Sequence, residues 1–190
     1  MSGQDPRAEP WQYKAEVFGN IAYGYVFSTS RDWGAGLDYG GGVGFRPFSG
    51  TLRGLGFEVQ AARQDIAFDA KKLGPNTISH LNSHLAAADV LYHFRKRTTV
   101  QPYVLGGIGW MNVDYSYKRG VVTDPITGQP VPPYEMNVSG SKMGVTLGAG
   151  VKIALNRHLS IRPEVFHLTT SGSGWQWNWL RFQIGLGFHF

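Results

Sequence analysis

Ten charged side chains stand at alternate positions in stretches of the chain that otherwise carry mostly small or apolar residues. Five are acids and five are bases, and such groups must pair when they leave water, because a lone buried charge is very costly. Their types and spacing predict a buried network of ion pairs along one face of a β-structure. The members of this predicted network are Lys14, Glu16, Asp38, Arg46, Glu58, Asp89, Lys152, Arg162, Glu164 and Arg181.

Other reactive combinations of residues are few. The chain has no cysteine, which excludes disulfides, thiol nucleophiles and cysteine-ligated metal centres. His80 and His84 would stand about 13 Å apart on a strand, and no glutamate follows His80 as the zinc-binding helix of a metalloprotease requires. We therefore expect no catalytic residue, no cofactor and no metal.

The composition of the 190 residues favours a β-structure that is apolar on one face. Charged residues make up 16% of the chain, against roughly 25% in an average soluble domain. The 26 glycines and the 14% of aromatic residues argue against disorder and against a helical bundle. The net charge is only +5, and no basic run is longer than residues 95–97, so we expect no nucleic-acid binding.

Two-residue alternation runs through most of the chain and predicts the strands that must position the charged residues. In the last segment Leu180, Phe182 and Ile184 share one face, while Arg181 and Gln183 share the other. The same template predicts eight strands, at residues 13–27, 37–46, 54–62, 85–94, 100–113, 142–155, 159–168 and 180–190.

The predicted strands are joined by connections that are short and long in turn. The short ones are residues 47–53, 95–99 and 156–158, and the long ones are residues 28–36, 63–79, 114–140 and 169–176. Short turns at one end and long loops at the other are typical of an up-and-down antiparallel barrel, and of outer-membrane barrels in particular.

The residues that accompany the charges indicate which face points inward. Glycine fills most other positions of the polar face, and small residues suit the narrow interior of an eight-stranded barrel. Aromatic residues collect on the apolar face near strand ends, like the girdles of membrane barrels. The sequence thus predicts an all-β, eight-stranded antiparallel up-and-down transmembrane β-barrel. Pro102 and Pro163 fall on the apolar face of inner strands, where proline is unfavourable.

Residues 13–190 resemble the small outer-membrane β-barrel proteins of the OmpA/OmpX type. The resemblance is carried by the mid-barrel run 100–110 and by the final strand, in which aromatic residues alternate up to a terminal phenylalanine. In that family the barrel-assembly machinery reads the final strand. The resemblance implies an assembly signal made of Phe182, Ile184, Leu186, Phe188 and Phe190.

The resemblance also implies an outer-membrane location, with residues 1–12 as a periplasmic extension and the signal peptide already removed. The expected partners are outer-membrane lipids, lipopolysaccharide and the barrel-assembly machinery, and the expected state is a monomer. Four basic residues of the long loops could bind phosphates of lipopolysaccharide, and the alternative is that they are ordinary solvated loop residues. These are Lys71, Lys72, Lys118 and Arg119.

The function we expect is not enzymatic. It is membrane integrity, or surface interaction through the long loops. The alternatives are a narrow gated pore, in which lumen ion pairs exchange, a lipid A-modifying outer-membrane enzyme, and a soluble lipocalin-like ligand binder. Outer-membrane lipid A deacylases use a His and a Ser two residues apart with a Glu further on. Here Thr169 follows His167 at that spacing and Glu164 precedes it, so the match fails at the nucleophile.

Overall fold

The alternating segments form long antiparallel strands. The computed structural model describes residues 14–28, 32–48, 50–67, 77–94, 99–124, 126–170 and 176–190. Its strands are β1 (Ala15–Ser28), β2 (Asp32–Phe45), β3 (Leu55–Ala67), β4 (Thr77–His93), β5 (Val100–Arg119), β6 (Val122–Thr123), β7 (Pro130–Val131), β8 (Tyr134–Ala154), β9 (Leu159–Thr170) and β10 (Trp177–His189), and a short 3-10 helix covers Gly50–Gly54.

Eight of these strands close into a barrel, in the order β1-β10-β9-β8-β5-β4-β3-β2. Every neighbouring pair is antiparallel, and β1 closes the barrel against β10 from Glu16–His189 to Ser28–Trp177. The predicted fold class is therefore confirmed. The Lys14 amide donates to the Phe190 carbonyl (3.1 Å), so both ends of the barrel segment lie at the end with short turns. We call this the short-turn end and the opposite one the long-loop end.

The strands run further toward the long-loop end than the apolar pattern predicts. Residues 63–67, 77–79, 114–119 and 134–140 are strand, so their assignment to loops was wrong. The backbone ladder continues there up to the pair Arg119–Tyr134, although the outward side chains have become polar. The apolar alternation in the sequence therefore ends before the backbone pairing does, and it marks the lipid-facing part of each strand rather than its full length. Tyr13 and residues 68–76, which were predicted as strand start and loop, lie outside the described residues.

The connection between β5 and β8 carries a small sheet of its own. Strands β6 and β7 pair only with each other and do not enter the barrel. Asp124 closes the turn between them, because its Oδ1 accepts hydrogen bonds from the amides of Ile126 (2.8 Å) and Thr127 (3.3 Å). These bonds favour the carboxylate and lower the pKa of Asp124. Gly128 follows with a φ of 69°, which suits glycine.

The two prolines sit where the ladder can do without an amide. Pro102 is the third residue of β5, and its carbonyl still accepts from the Phe94 amide (3.0 Å). Near Pro163, β8 and β9 pair at Gly150–Glu164 and again at Ile153–Ile161 in the same register. Among the described residues, no pair of β8 and β9 lies between these two. The missing amide of Pro163 therefore interrupts the ladder locally without changing the register.

The outward face of the barrel is an apolar band. Ile21, Leu37, Ile184 and Leu186 are 56% to 75% exposed, and Phe57, Val59, Val145 and Leu147 are also exposed. Along β10 the band runs from Leu180 to Phe190, roughly 33 Å of strand, which a tilt of about 40° reduces to about 25 Å of height. This is the height of the lipid-facing band of outer-membrane barrels. No helix among the described residues is long and apolar enough to cross a bilayer.

The interior is divided into two layers. The half next to the short-turn end holds most of the charged side chains. The half next to the long-loop end holds a packed apolar cluster, which we call the apolar layer, with a few buried polar residues such as Gln64 and Ser83 beside it. Its main members are Val26, Ile66, Leu81, Leu85, Met111, Val113, Phe166, Leu168 and Trp179, each at most 4% exposed.

Candidate functional site

Successive side chains of a strand point to opposite faces of the sheet. Because the predicted charged residues stand on one of these faces, most of them point into the barrel. Glycines on the same face make the room they need. A Cβ on Gly150 would lie 2.6 Å from the Tyr103 hydroxyl oxygen, and one on Gly185 would lie 2.7 Å from Arg162 Cγ. The glycine-rich inner face therefore accommodates the large buried side chains.

Arg162 is the centre of the network. Its guanidinium donates to both oxygens of Glu58 (2.9 and 3.0 Å), to Glu164 (2.8 Å) and to the Tyr103 hydroxyl (3.2 Å). It also lies 4.0 Å from the centre of the Phe18 ring. The bidentate pair to Glu58 joins β9 to β3 across the barrel, so Arg162 ties opposite walls together.

Lys152 and Glu16 form the neighbouring pair. The Lys152 ammonium donates to Glu16 Oε2, and Arg162 Nη1 lies 4.0 Å from the other oxygen of that carboxylate. Lys152 also lies 5.6 Å from the centre of the Tyr103 ring. Glu16 thus links the two cations, and β1, β8 and β9 meet through it.

Arg181 and Asp38 form a separate pair closer to the long-loop end. The guanidinium donates to Asp38 Oδ2 (2.5 Å) and Oδ1 (2.7 Å), and both side chains are buried. The rings of Phe166 and Trp179 each lie 5.6 Å from the Arg181 guanidinium. This ion pair is therefore packed against the apolar layer.

Two members of the predicted network do not form ion pairs in the way the sequence predicted. Lys14 precedes β1 and is exposed, so its place in the network was wrong. Asp89 receives hydrogen bonds from Gln60 (3.2 Å) and Thr146, and no ion pair to it occurs among the described residues. Neutral donors on neighbouring walls stabilise this carboxylate instead of a cation.

Arg46 lies at the mouth of the short-turn end, where it donates to His93 Nε2 and to Gln101 Oε1 (3.2 Å). A cavity of about 10 Å³, room for one water molecule, lies behind it. Glu16, Glu58, His93 and Lys152 are among its lining residues.

Sequence reasoning left out the uncharged members of the network. Tyr103 donates to Glu164, and Gln183 Nε2 donates to Glu164 Oε1 (2.5 Å), while Gln60 and Thr146 hold Asp89. These uncharged residues stand at the same alternate positions of their strands as the charged residues. That alternation could have identified them as inward-facing. The apolar layer was also missed, because the outward residues of β4 near the long-loop end, His80, Asn82 and His84, are polar while Leu81 and Leu85 face inward, the reverse of the expected pattern.

The arrangement fits a filled interior better than a channel. Among the described residues, large apolar side chains such as Leu168 and Trp179 fill much of the interior between the charged half and the long-loop end. No group of three or more histidine and acidic residues among them is placed to hold a metal.

The residues compared with a deacylase do not form one site. His167 faces outward and stacks on Phe27, with the Thr169 hydroxyl 3.4 Å from its Nε2. Thr169 donates to Asn178 (3.0 Å), whereas Glu164 points inward and is bound by Arg162. Glu164 and His167 lie on opposite faces of β9, so the wall separates them.

The residues of the predicted assembly signal share the outward face of the last strand. Phe182, Ile184, Leu186, Phe188 and Phe190 are 45% to 67% exposed. Their role as a signal stays a prediction, because it concerns a step before the barrel exists.

Comparisons with known proteins agree with this fold. The family model of the outer membrane protein beta-barrel domain matches residues 6–190. No curated protein matches in sequence.

Among solved structures, Neisserial surface protein A is similar at 16% identity, with 93% of this chain and 97% of that chain covered and a TM-score of 0.65. A major outer membrane protein from Thermus thermophilus is 14% identical (93% and 99% covered, TM-score 0.60). The attachment invasion locus protein of Yersinia pestis, in complex with the heparin analogue sucrose octasulfate, is 13% identical (94% and 99% covered, TM-score 0.57). At these identities the likeness shows the fold alone. The family match covers nearly the whole chain, and the closed barrel carries an outward apolar band. The chain therefore belongs to the outer membrane protein β-barrel domain family and is a transmembrane protein of the Gram-negative outer membrane.

Proposed function

We propose that this protein is a non-enzymatic barrel that presents a surface-interaction segment at a fixed height above the outer membrane. The observation that carries the proposal is the length of β5 and β8. They stay paired from the last apolar outward residue, Trp110, up to Arg119–Tyr134, roughly 30 Å along the strand. Two long paired strands hold the segment 120–133, which we call the tip, away from the lipid.

The composition of the tip supports a contact role. Ile126 is 92% exposed and Val121 is 56% exposed, and both lie beyond the last paired residues of β5 and β8, Arg119 and Tyr134. Exposed apolar residues outside the band are typical of surfaces that meet a partner when they cluster. The attachment invasion locus protein of Yersinia pestis, a structural neighbour, is named for attachment.

The rival functions have less support. A soluble lipocalin-like binder would carry its apolar face inside, whereas here it is outside. A deacylase would need its acid and histidine on one face of the barrel. A gated pore could use the buried ion pairs, but the apolar layer lies across its path. We propose a monomer inserted by the barrel-assembly machinery, since the apolar band is matched by lipid on all sides.

The proposal is tested by shortening the tip. Residues 120–133 are replaced by Asn-Gly, which can turn between the paired residues Arg119 and Tyr134. A second variant keeps the tip length and changes only Ile126→Ser and Val121→Ser. Cells expressing each form are assayed for adhesion to host cells and to immobilised heparin, and for entry of large antibiotics.

We expect the shortened protein to fold and reach the outer membrane, as judged by a heat-modifiability gel, and to lose adhesion. The double serine variant should lose part of it. Antibiotic entry should not change. Unchanged adhesion would overturn the contact role of the tip, and a leaky membrane would indicate that membrane integrity is the main function.

A further inference from the structure

The outward face of β4, β5 and β8 changes from apolar to polar within one residue pair at the long-loop end. The last apolar set is Ala86, Trp110 and Met143, which pair across the three strands. Beyond it the paired outward residues are His84–Asn112–Ser141, then Asn82–Asp114–Ser139, then His80–Ser116–Asn137. We call these nine residues the polar shelf.

The polar shelf has a depression at its centre. It measures about 180 Å³, and Asn82, Asp114, Ser116, Asn137 and Ser139 line it together with Tyr115 and Val138. Amide, hydroxyl and carboxylate groups share the lining with apolar groups in about equal measure. Hydroxyls and amides both donate and accept, so the depression offers both kinds of partner within a space that suits a sugar ring.

The charged side chains that flank the polar shelf pair with each other, while Asp114 within the shelf is a carboxylate held by a neutral amide. Lys118 pairs with Glu135 (2.9 Å), and Arg63 pairs with Asp65 (3.2 Å) on the neighbouring strand. Asn112 donates to Asp114 (3.4 Å) and accepts from Ser141 (3.0 Å), which orients both polar groups. The surface therefore suits neutral hydroxyl-bearing ligands better than a phosphate, and the role we expected for Lys118 as a phosphate ligand has no support here.

The position of the polar shelf selects among such ligands. It begins one residue pair beyond the lipid-facing band and extends about 13 Å along the strand, or about 10 Å of height at a tilt of about 40°. The headgroup region lies directly outside the hydrocarbon core, so the part of the shelf nearest the band lies at headgroup level. Trp110, 41% exposed, stands at its lower edge, where an amphipathic ring meets the interface. The shelf is thus continuous with the surface that lipid already covers.

We propose that the polar shelf binds the sugar headgroup of the outer-leaflet glycolipid, lipopolysaccharide. The depression holds one sugar ring through Asn82, Asp114 and Ser139, and Trp110 packs beside the sugar nearest the acyl chains. The site depends on the outer-membrane location and not on the role proposed for the tip, which lies beyond Arg119.

The test measures lipid A binding to the full chain in a detergent without a sugar headgroup, by native mass spectrometry and tryptophan fluorescence. The shelf variant carries Asn82→Ala, Asn137→Ala and Ser139→Ala. The matched control, Lys118→Ala with Glu135→Ala, removes an exposed ion pair of the same strands. Both are compared on bisphosphorylated and dephosphorylated lipid A, with phosphatidylglycerol as the lipid without sugar.

We expect the shelf variant to bind lipid A about tenfold or more weakly, because three hydrogen-bonding groups are lost. The control should bind as the unaltered protein does, and dephosphorylated lipid A should retain most of the affinity. Equal binding by the shelf variant overturns the proposal. If dephosphorylated lipid A no longer binds, the site recognises phosphate and the proposal is overturned. If the shelf variant changes only the self-association of the protein, the shelf binds a second copy of the chain and the proposal is likewise overturned.

If the shelf variant does not refold, the unaltered protein is titrated with the glucosamine disaccharide of lipid A and followed by NMR. The side-chain amide signals of Asn82 and Asn137 should shift when the glucosamine disaccharide is added. Absence of any shift overturns the proposal. Adhesion through the tip should persist in the shelf variant, so failure of one proposal is distinguishable from failure of the other.

Discussion

Arg162 shows how one side chain can fix a barrel from within. It contacts Glu58 on β3, Tyr103 on β5 and Glu164 on its own strand, and it is 1% exposed. Two carboxylates share this guanidinium, so its removal would leave buried charge without a counter-charge. Removing one partner of a buried ion pair is strongly destabilising, because the remaining charge is left uncompensated.

Arg162→Met should therefore lower the free energy of unfolding by about 3–5 kcal/mol. Urea unfolding of the refolded protein in lipid vesicles measures it. The double variant Arg162→Met with Glu58→Gln should recover part of the loss, because one stranded charge is neutralised. No recovery would show that the cost comes from packing against Phe18 rather than from charge.

Ile184 tests the direction of the outward face at a single residue. It is 60% exposed near the middle of the apolar band, and Ile184→Arg should cost about 2–4 kcal/mol in vesicles. Ile126→Arg makes the same change in the tip and should leave stability unchanged. Similar losses at both positions would contradict the placement of the lipid boundary.

At the scale of the strand, glycine decides which residues the inner face can hold. Gly150 faces inward on β8, where a Cβ would meet the Tyr103 hydroxyl at 2.6 Å and the Pro163 carbonyl oxygen at 2.9 Å. Gly106 faces outward on β5, and its nearest contact would be Leu147 at an ordinary 3.5 Å. The same residue type thus has a steric role on one face and none on the other.

Gly150→Ala should destabilise the barrel by about 1–3 kcal/mol through overpacking, whereas Gly106→Ala should be neutral or slightly stabilising. The two alanine variants are compared by the temperature at which the folded band converts on a heat-modifiability gel. A neutral Gly150→Ala would mean that Tyr103 can move aside, and that the network around Glu164 is packed more loosely than these distances imply.

At the scale of the whole molecule, the apolar layer separates the charged half of the interior from the long-loop end. Exchange among the buried pairs of the short-turn half would leave Leu168, Phe166 and Trp179 packed beyond them. This is why we favour a filled barrel over a gated pore.

Neither the unaltered protein nor Glu58→Gln should show steady conductance in planar bilayers. Rupture of the Arg162–Glu58 pair leaves the apolar layer in place, so the variant should stay closed. Current that appears or grows in Glu58→Gln would support the gated pore. A large, steady channel in the unaltered protein would require a barrel of more than eight strands.

The sequence by itself determined the class of fold and the inward position of most of the charged residues. Alternation has a period of two whatever the neighbours are, so Glu16, Glu58, Lys152 and Arg162 were assigned to one face correctly. Apolar contrast between the two faces located the eight strands, and strand ends were missed only where that contrast disappears above the lipid.

Only the tertiary structure decided which charges meet and where the interior is closed. Glu58 and Arg162 are 104 positions apart, and their pairing depends on strand tilt and register across the barrel, which no local pattern encodes. Asp89 bonds to Gln60 and Thr146 because those side chains happen to face it from β3 and β8. The apolar layer had no signature along the chain, since inward residues such as Leu81 and Leu168 become a layer only when the closed barrel brings them together.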